Sequence, residues 1–347
     1  MGSTVKIVVL GATGNVGTAV LRRLHAAPEV TRIVGVSREG PERGGEPYDG
    51  VEWHTVDVAA KESTAALAEI MAGADAVIHL VWLIRPNRDF ALMHETNVDG
   101  LVHVLDAVVL AGVPQIVYPS SLGAYSPGPK DRAVDESWPV GGVETSHYNV
   151  QKAEAEALLN RFEEAHPGIV VTRLRPGFLF QADAAPEIGD YFFGALVPRK
   201  LIARLRLPVL PFPEKFRFQT LHTDDVADAF WRVVQHRAGG AFNVAAEPVL
   251  GADGVAQVLG ARRVLPVPPA LVRALVAITY RLRLQPTDPG WIDLAGAVPI
   301  MDTTRIREVT GWSESVSSLE ALRELVDNLD GREGLGNKEH RPRSPLV

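Results

Sequence analysis

Tyr148 and Lys152 stand four residues apart in His147-Tyr148-Asn149-Val150-Gln151-Lys152. In a helix that spacing puts both on one face, one turn apart. A phenol with a reference pKa of about 10 is protonated at neutral pH, and a nearby ammonium together with a positively charged nicotinamide favours the phenolate. Such a pair suits a general acid/base where hydride moves to or from an alcohol carbon; on an ordinary surface helix it would do nothing. Ser120 and Ser121 sit in Pro119-Ser120-Ser121-Leu122-Gly123-Ala124-Tyr125, directly after an apolar strand-like run. A hydroxyl beyond the carboxyl end of a parallel strand can donate to a substrate carbonyl. With no histidine in a nucleophile elbow, Ser121 is assigned to polarisation rather than attack. Both serines as turn residues is the alternative.

A second constellation is Val8-Val9-Leu10-Gly11-Ala12-Thr13-Gly14-Asn15-Val16-Gly17, which ends one apolar run and opens a helical one. Glycines at 11, 14 and 17 allow a tight turn, close approach of a pyrophosphate to the backbone, and close helix-on-strand packing, with the helix N-terminus facing the anion. The spacing is Gly-x-x-Gly-x-x-Gly, not the commoner Gly-x-Gly-x-x-Gly. Gly11, Thr13, Gly14, Asn15, Val16 and Gly17 are the expected cradle of a dinucleotide. After the next apolar run come Ser37 and Arg38, a hydroxyl and a cation without the carboxylate that would receive the ribose of NAD. This favours NADP over NAD, unless Arg38 is only a solvated loop residue. Asp57, followed by Val58, is positioned to meet the adenine end, or else Asp57 caps the next helix.

These groups need a scaffold, and the first half of the chain supplies the alternation of short Val/Ile-rich runs and helical stretches that marks βαβ units and a parallel sheet. The expected strands are 5–10, 32–37, 51–55, 76–80, 115–118 and 169–174; the expected helices are 16–26, 63–72, 88–110 and 146–165. Beyond Pro176 a Pro- and aromatic-rich stretch to about Phe218 reads as loops and short helices. A helix then opens with Thr223 or Asp224 as its N-cap, and Gly239-Gly240 turns into a strand at 241–244. The segment 268–284, interrupted by Arg273, Arg281 and Arg283, reads as a buried or half-buried helix, too charged to span a bilayer. The aromatics Tyr191, Phe192, Phe193, Phe212, Phe216 and Phe218 suggest an apolar pocket or lid, with ordinary core as the alternative. Lys200, Arg204 and Arg206 amid Leu and Ile read as a solvated face of a helix, with membrane-surface contact as the alternative.

Composition limits the classes. The chain has 347 residues, 46% hydrophobic and 22% charged, which is globular rather than disordered. Its net charge of −7 argues against nucleic acid as a partner. The absence of cysteine removes disulfides, thiolate metal sites and cysteine nucleophiles, and the ten histidines form no metal-ligand spacing, so no metal is expected. Residues 1–6 lead into an apolar strand without a signal-peptide pattern, giving a cytoplasmic expectation. Residues 331–347, rich in Gly, Pro and charge, are expected to be disordered.

Taken in order, Gly11-Ala12-Thr13-Gly14-Asn15-Val16-Gly17, Val77-Ile78-His79-Leu80, Thr96-Asn97-Val98-Asp99-Gly100, Val117-Tyr118-Pro119-Ser120-Ser121, Tyr148-x-x-x-Lys152, Arg175-Pro176-Gly177 and His222-Thr223-Asp224-Asp225-Val226-Ala227 resemble the extended branch of the short-chain dehydrogenase/reductase superfamily, the NAD-dependent epimerase/dehydratase family. The likeness runs from about residue 5 to about 328. It implies an α/β fold, a Rossmann-type doubly wound parallel sheet (1–176 plus about 217–246) with a smaller, discontinuous C-terminal substrate domain (about 177–216 plus 247–330). It also implies Tyr148 as acid/base, Lys152 on the nicotinamide ribose lowering the phenol pKa, and Ser121 on the carbonyl. Asn97 matches a position that holds a proton-relay water in relatives, or it merely bends its helix. Leu80, Val81 and Trp82 would line the cofactor, and Pro176, Gly177 and Phe178 would approach its carboxamide.

Where 4,6-dehydratases carry Asp-Glu, this chain has Leu122-Gly123, which argues against dehydration. The reading is therefore an oxidoreductase interconverting a carbonyl and an alcohol on a small metabolite with NADP or NAD, as a possible homodimer. The alternatives are a nucleotide-sugar epimerase with tightly bound NAD and a non-enzymatic dinucleotide sensor.

Overall fold

The computed structural model describes residues 5–41, 44–84, 88–182, 184–185 and 208–329. Its centre is β1 (Val5–Leu10), a continuous apolar run with Ile7, Val8, Val9 and Leu10 fully buried. A strand covered on both faces reads this way, because alternate side chains enter opposite layers. Ile7 and Val9 join one core with Leu21, Leu24, Phe230 and Trp312. Val8 and Leu10 join a second with Leu67, Met71, Leu101 and Leu159.

Around β1, β2 (Val30–Ser37), β3 (Glu52–Thr55), β4 (Ala76–His79), β5 (Gln115–Pro119), β7 (Val170–Pro176) and β11 (Gly240–Val244) complete a seven-stranded sheet in the order β11-β7-β5-β4-β1-β2-β3. Every ladder is parallel. The order reverses between β1 and β4, so the crevice where ligands enter a doubly wound sheet lies beyond the carboxyl ends of these two strands. Helix α1 (Asn15–His25) packs on α6 (Thr223–Gln235) on one face, while α2 (Ser63–Met71), α4 (Gly100–Ala111) and α5 (His147–Ala165) contribute to the other core.

The helix expected over 88–110 is divided. It comprises α3 (Phe90–His94), a π turn at Glu95–Asp99 and α4, with the extra residue turning the Asn97 side chain toward Leu83. The N-cap of α6 is His222, not Thr223 or Asp224; its ring nitrogen accepts from the Asp224 amide at 3.2 Å.

The stretch read as loops and short helices contains β8 (Phe178–Phe180) and β9 (Val209–Pro213). β8 pairs with β10 (Thr220–His222) and β9 with β12 (Arg263–Val267), both parallel. A third small pair joins β6 (Ala133–Val134) to β13 (Ile300–Met301). The remaining helices are α7 (Ala252–Leu259), α8 (Pro269–Arg281), α9 (Gly290–Ala297), α10 (Thr304–Thr310) and α11 (Ser318–Asn328). Of the buried and half-buried alternatives α8 takes the second: none of its residues is fully buried, and Val272, Arg273, Val276, Ala277, Thr279 and Tyr280 are partly covered. Tyr191, Phe192, Phe193, Lys200, Arg204, Arg206 and the tail 331–347 lie outside the described residues. No helix among the described residues is long and apolar enough to cross a membrane.

Candidate active site

At the end of β1 the chain turns through Gly11, whose φ of +79° an L side chain rarely adopts. The Gly11 amide donates to Val36 O at 2.8 Å, locking the turn to the end of β2. At Gly17 a Cβ would meet Gly11 O at 2.3 Å, so only glycine lets α1 lie this close to the turn. At Gly14 the nearest atom to a Cβ is Gly11 O at 3.4 Å, and no side chain caps α1. An anion can therefore reach the helix N-terminus past Gly14. Thr13 and Asn15 are half-buried in this turn, and Val16 packs against the core.

The adenosine end carries fewer groups than expected. Ser37 is buried and its hydroxyl accepts from the Gly40 amide at 3.0 Å, whereas Arg38 is exposed and forms no ion pair among the described residues. Asp57 does not cap α2, which begins at Ser63; its carboxylate closes its own turn on the Ala59 amide at 3.0 Å. The Val58 side chain is core, so only its backbone is left to face a ligand.

Tyr148 stands in the first turn of α5, which is capped by the Ser146 hydroxyl. Its ring packs between Trp82 at 5.9 Å and Trp291 at 5.1 Å, centroid to centroid. It also lies against the turn Leu122–Ala124, where a Cβ on Gly123 would meet Tyr148 Cε1 at 2.9 Å. Gly123 thus leaves the room that the Tyr148 ring takes. Ser121, which accepts from the Gly123 amide at 2.9 Å, also hydrogen-bonds the phenol. Burial pushes the Tyr148 pKa up to about 12, and the bond to Ser121 only partly opposes this. Lys152 is not among the groups that shift the Tyr148 phenol. The ammonium donates instead to Pro119 O at 2.7 Å and lies 3.4 Å from the Trp82 ring centroid, against 5.9 Å for that of Tyr148. Burial holds Lys152 well below the ordinary lysine range, with Glu156 one turn further along α5 opposing it.

The Asn97 amide is committed to structure. Its Oδ1 accepts from Leu83 N at 2.6 Å and its Nδ2 donates to Leu83 O at 2.8 Å and Gln151 Oε1 at 2.9 Å. The π turn thus clamps the segment after β4 against α5 and sets Leu80, Val81 and Trp82 across the mouth of the crevice. Pro176 ends β7, Gly177 donates to Val244 O, and Phe178 stacks edge-on against Phe218 at 5.9 Å. Phe178 joins Tyr148 and Trp291 in one apolar cluster. Beside Tyr148 and Trp291 opens a pocket whose walls are apolar at Trp82, Ile84, Phe90 and Met93 and polar at Ser146, His147, Gln151 and Asp288.

Sequence reasoning missed Trp291, Gln151 and a buried charge cluster. Glu156 Oε1 accepts from Ser120 Oγ at 2.5 Å and from Arg175 Nε at 2.8 Å, and Oε2 accepts from Arg175 Nη2 at 3.0 Å. Burial alone would raise the Glu156 pKa, but the Arg175 bonds hold it below the usual carboxylate value. Arg175 also donates to Tyr125 OH at 2.9 Å, which donates to Asn243 Oδ1 at 2.6 Å. The cluster ties the ends of β5 and β7 to α5 next to Ser121 and Lys152. Its one sequence signal was Glu156 at helical spacing from Lys152; nothing local pointed to Trp291.

Residues 7–245 match the profile of the NAD dependent epimerase/dehydratase family. L-arabinose 1-dehydrogenase (NAD(P)(+)) of Haloferax volcanii is 31% identical over 53% of this chain and 71% of its own length. UDP-glucose 4-epimerase of Mycolicibacterium smegmatis is 25% identical over 93% of this chain and 97% of its own. The chain spans only 31% of the length of three uncharacterized mycobacterial relatives at 25% identity. Among solved structures, the UDP-glucose 4-epimerase of Thermus thermophilus, in complex with NAD, superposes with a TM-score of 0.67 at 20% identity, covering 94% of this chain and all of that one.

Proposed function

The chain belongs to the NAD dependent epimerase/dehydratase family, and from that premise we propose that it is an NADP-preferring oxidoreductase that reduces a carbonyl, or oxidises the matching alcohol, on a small apolar metabolite. The observation that carries this reading is the Ser121–Tyr148 pair, with Tyr148 on the wall of a largely apolar pocket between Trp82 and Trp291. The residues fit a dinucleotide. The open approach at Gly14 suits the pyrophosphate, Arg38 the 2′-phosphate and Lys152 the nicotinamide ribose, while Trp82 Nε1 is buried with no hydrogen-bond partner among the described residues. When bound, the cofactor supplies or accepts the hydride.

The chain's own groups manage the oxygen. Ser121 donates to the carbonyl and fixes its orientation. Tyr148, protonated throughout the physiological range because of its raised pKa, delivers a proton to that oxygen as the alcohol forms. In the reverse reaction the Tyr148 oxygen takes the proton back from the alcohol. Trp82 and Trp291 exclude water and select an apolar body.

The alternative, a nucleotide-sugar epimerase holding NAD tightly, has the near full-length likeness to the Mycolicibacterium enzyme in its favour. One preparation separates the two. The protein is denatured and the released nucleotide identified by mass spectrometry, then wild type and Tyr148→Phe are titrated with NADPH and NADH and assayed on a carbonyl panel. The expected outcome is dissociable cofactor, tighter NADPH binding in both proteins, and about 10²- to 10⁴-fold slower reduction in Tyr148→Phe. Stoichiometric NAD that survives purification selects the epimerase.

A further inference from the structure

Helix α8 is amphipathic with its apolar stripe outward. Leu271, Leu275, Ile278 and Leu282 are 52%, 55%, 54% and 63% exposed. At 3.6 residues per turn they fall in one stripe about 60° wide. Leu284, just past the helix, extends it. The opposite face makes the contacts to the rest of the chain. Arg88 donates to Tyr280 O at 2.6 Å and lies 3.8 Å from the Tyr280 ring centroid. Arg273 pairs with Asp293 at 2.7 Å, on the helix α9 that carries Trp291. The helix therefore adjoins the pocket through α9, with the stripe on its far side.

Charge identifies what it meets. From Gly254 to Thr287 the chain has five arginines and no Asp or Glu, in a protein of net charge −7. Of these, Arg262, Arg263, Arg281 and Arg283 form no ion pair among the described residues. An apolar stripe that ends among Arg281 and Arg283 suits a surface that is anionic and has an apolar interior beneath it. Nucleic acid would satisfy the arginines and leave the leucines wet. We infer that α8 docks the protein on anionic lipid bilayers, with the stripe in the headgroup boundary and the pocket close to the membrane.

Flotation of the full chain with phosphatidylcholine vesicles, with and without phosphatidylglycerol, tests this. Wild type is expected to float with the anionic vesicles, to be released by high salt, and to ignore the neutral ones. Leu275→Glu/Ile278→Glu should abolish flotation, and Arg281→Gln/Arg283→Gln should weaken it about 25-fold, at about fivefold per arginine. Unchanged melting temperatures and NADPH titrations show that the variants are folded. No flotation, or equal flotation with neutral vesicles, overturns the inference. So does sedimentation showing a dimer that Ile278→Glu converts to monomer, because a second copy would then cover the stripe. None of these readouts depends on the reaction catalysed.

Discussion

Glu156 keeps its charge at 1% exposure because Arg175 and Ser120 use both of its oxygens. Removing Arg175 leaves the anion only the longer ion pair to Arg173 at 3.5 Å, and removing the anion leaves the Arg175 guanidinium buried without its carboxylate. Arg175→Met and Glu156→Gln are each expected to cost about 3–5 kcal/mol, read as lower urea midpoints. Residues whose roles depend on local spacing were legible in the sequence: Tyr148 with Lys152 on one turn, and Ser121 just past a strand. Trp291 was not, because it reaches Tyr148 across 143 positions through tertiary packing. The direction of the Tyr148 shift was also hidden, since it is set by burial of the phenol against Trp82, Trp291 and Gly123, which only the tertiary packing brings together.

At the scale of elements, the turn from β1 into α1 is the tightest contact in the cofactor cradle. Gly17→Ala places a Cβ 2.3 Å from Gly11 O and 2.7 Å from Ala12 C, both backbone atoms that cannot swing away. Overpacking of this kind costs about 1–3 kcal/mol, so the melting temperature should fall. NADPH affinity should fall with it, because the helix N-terminus is pushed off the turn; unchanged affinity would separate the cradle from Gly17. The run of glycines announced this element. The π turn in the helix over 88–110 announced nothing, because its cause is the bonding of Asn97 to Leu83, set by the fold and not by helical period. Likewise α8 carries the pattern of a core helix, and periodicity alone says which residues share a face, not which way that face points.

For the whole molecule, one buried histidine sets a pH limit. His79, 1% exposed at the end of β4, has its pKa lowered to about 3 by burial and by the nearby Lys152. Its unfolded value is about 6.5, so the unfolded chain takes up the proton first. Stability from this group is complete above that value and is lost as pH falls from there toward 3, at up to about 1.4 kcal/mol per pH unit. Urea unfolding midpoints measured between pH 7 and 4 should drop accordingly, and His79→Gln should flatten the slope. The sheet that holds His79 was legible strand by strand, because fully buried parallel strands are unbroken apolar runs. The small pairs β8–β10, β9–β12 and β6–β13 were not, since strands of two to five residues have no period to read.

The order β11-β7-β5 also has a consequence in time. When Pro176 leaves the ribosome, six strands of the sheet exist, and the outer edge of β7 has no neighbour until Val244 follows. At ordinary synthesis rates that interval is on the order of 3–14 s. For those seconds a row of backbone donors and acceptors is open to any other strand, so the nascent chain is most prone to mispairing after its cofactor half has formed and before β11 closes it.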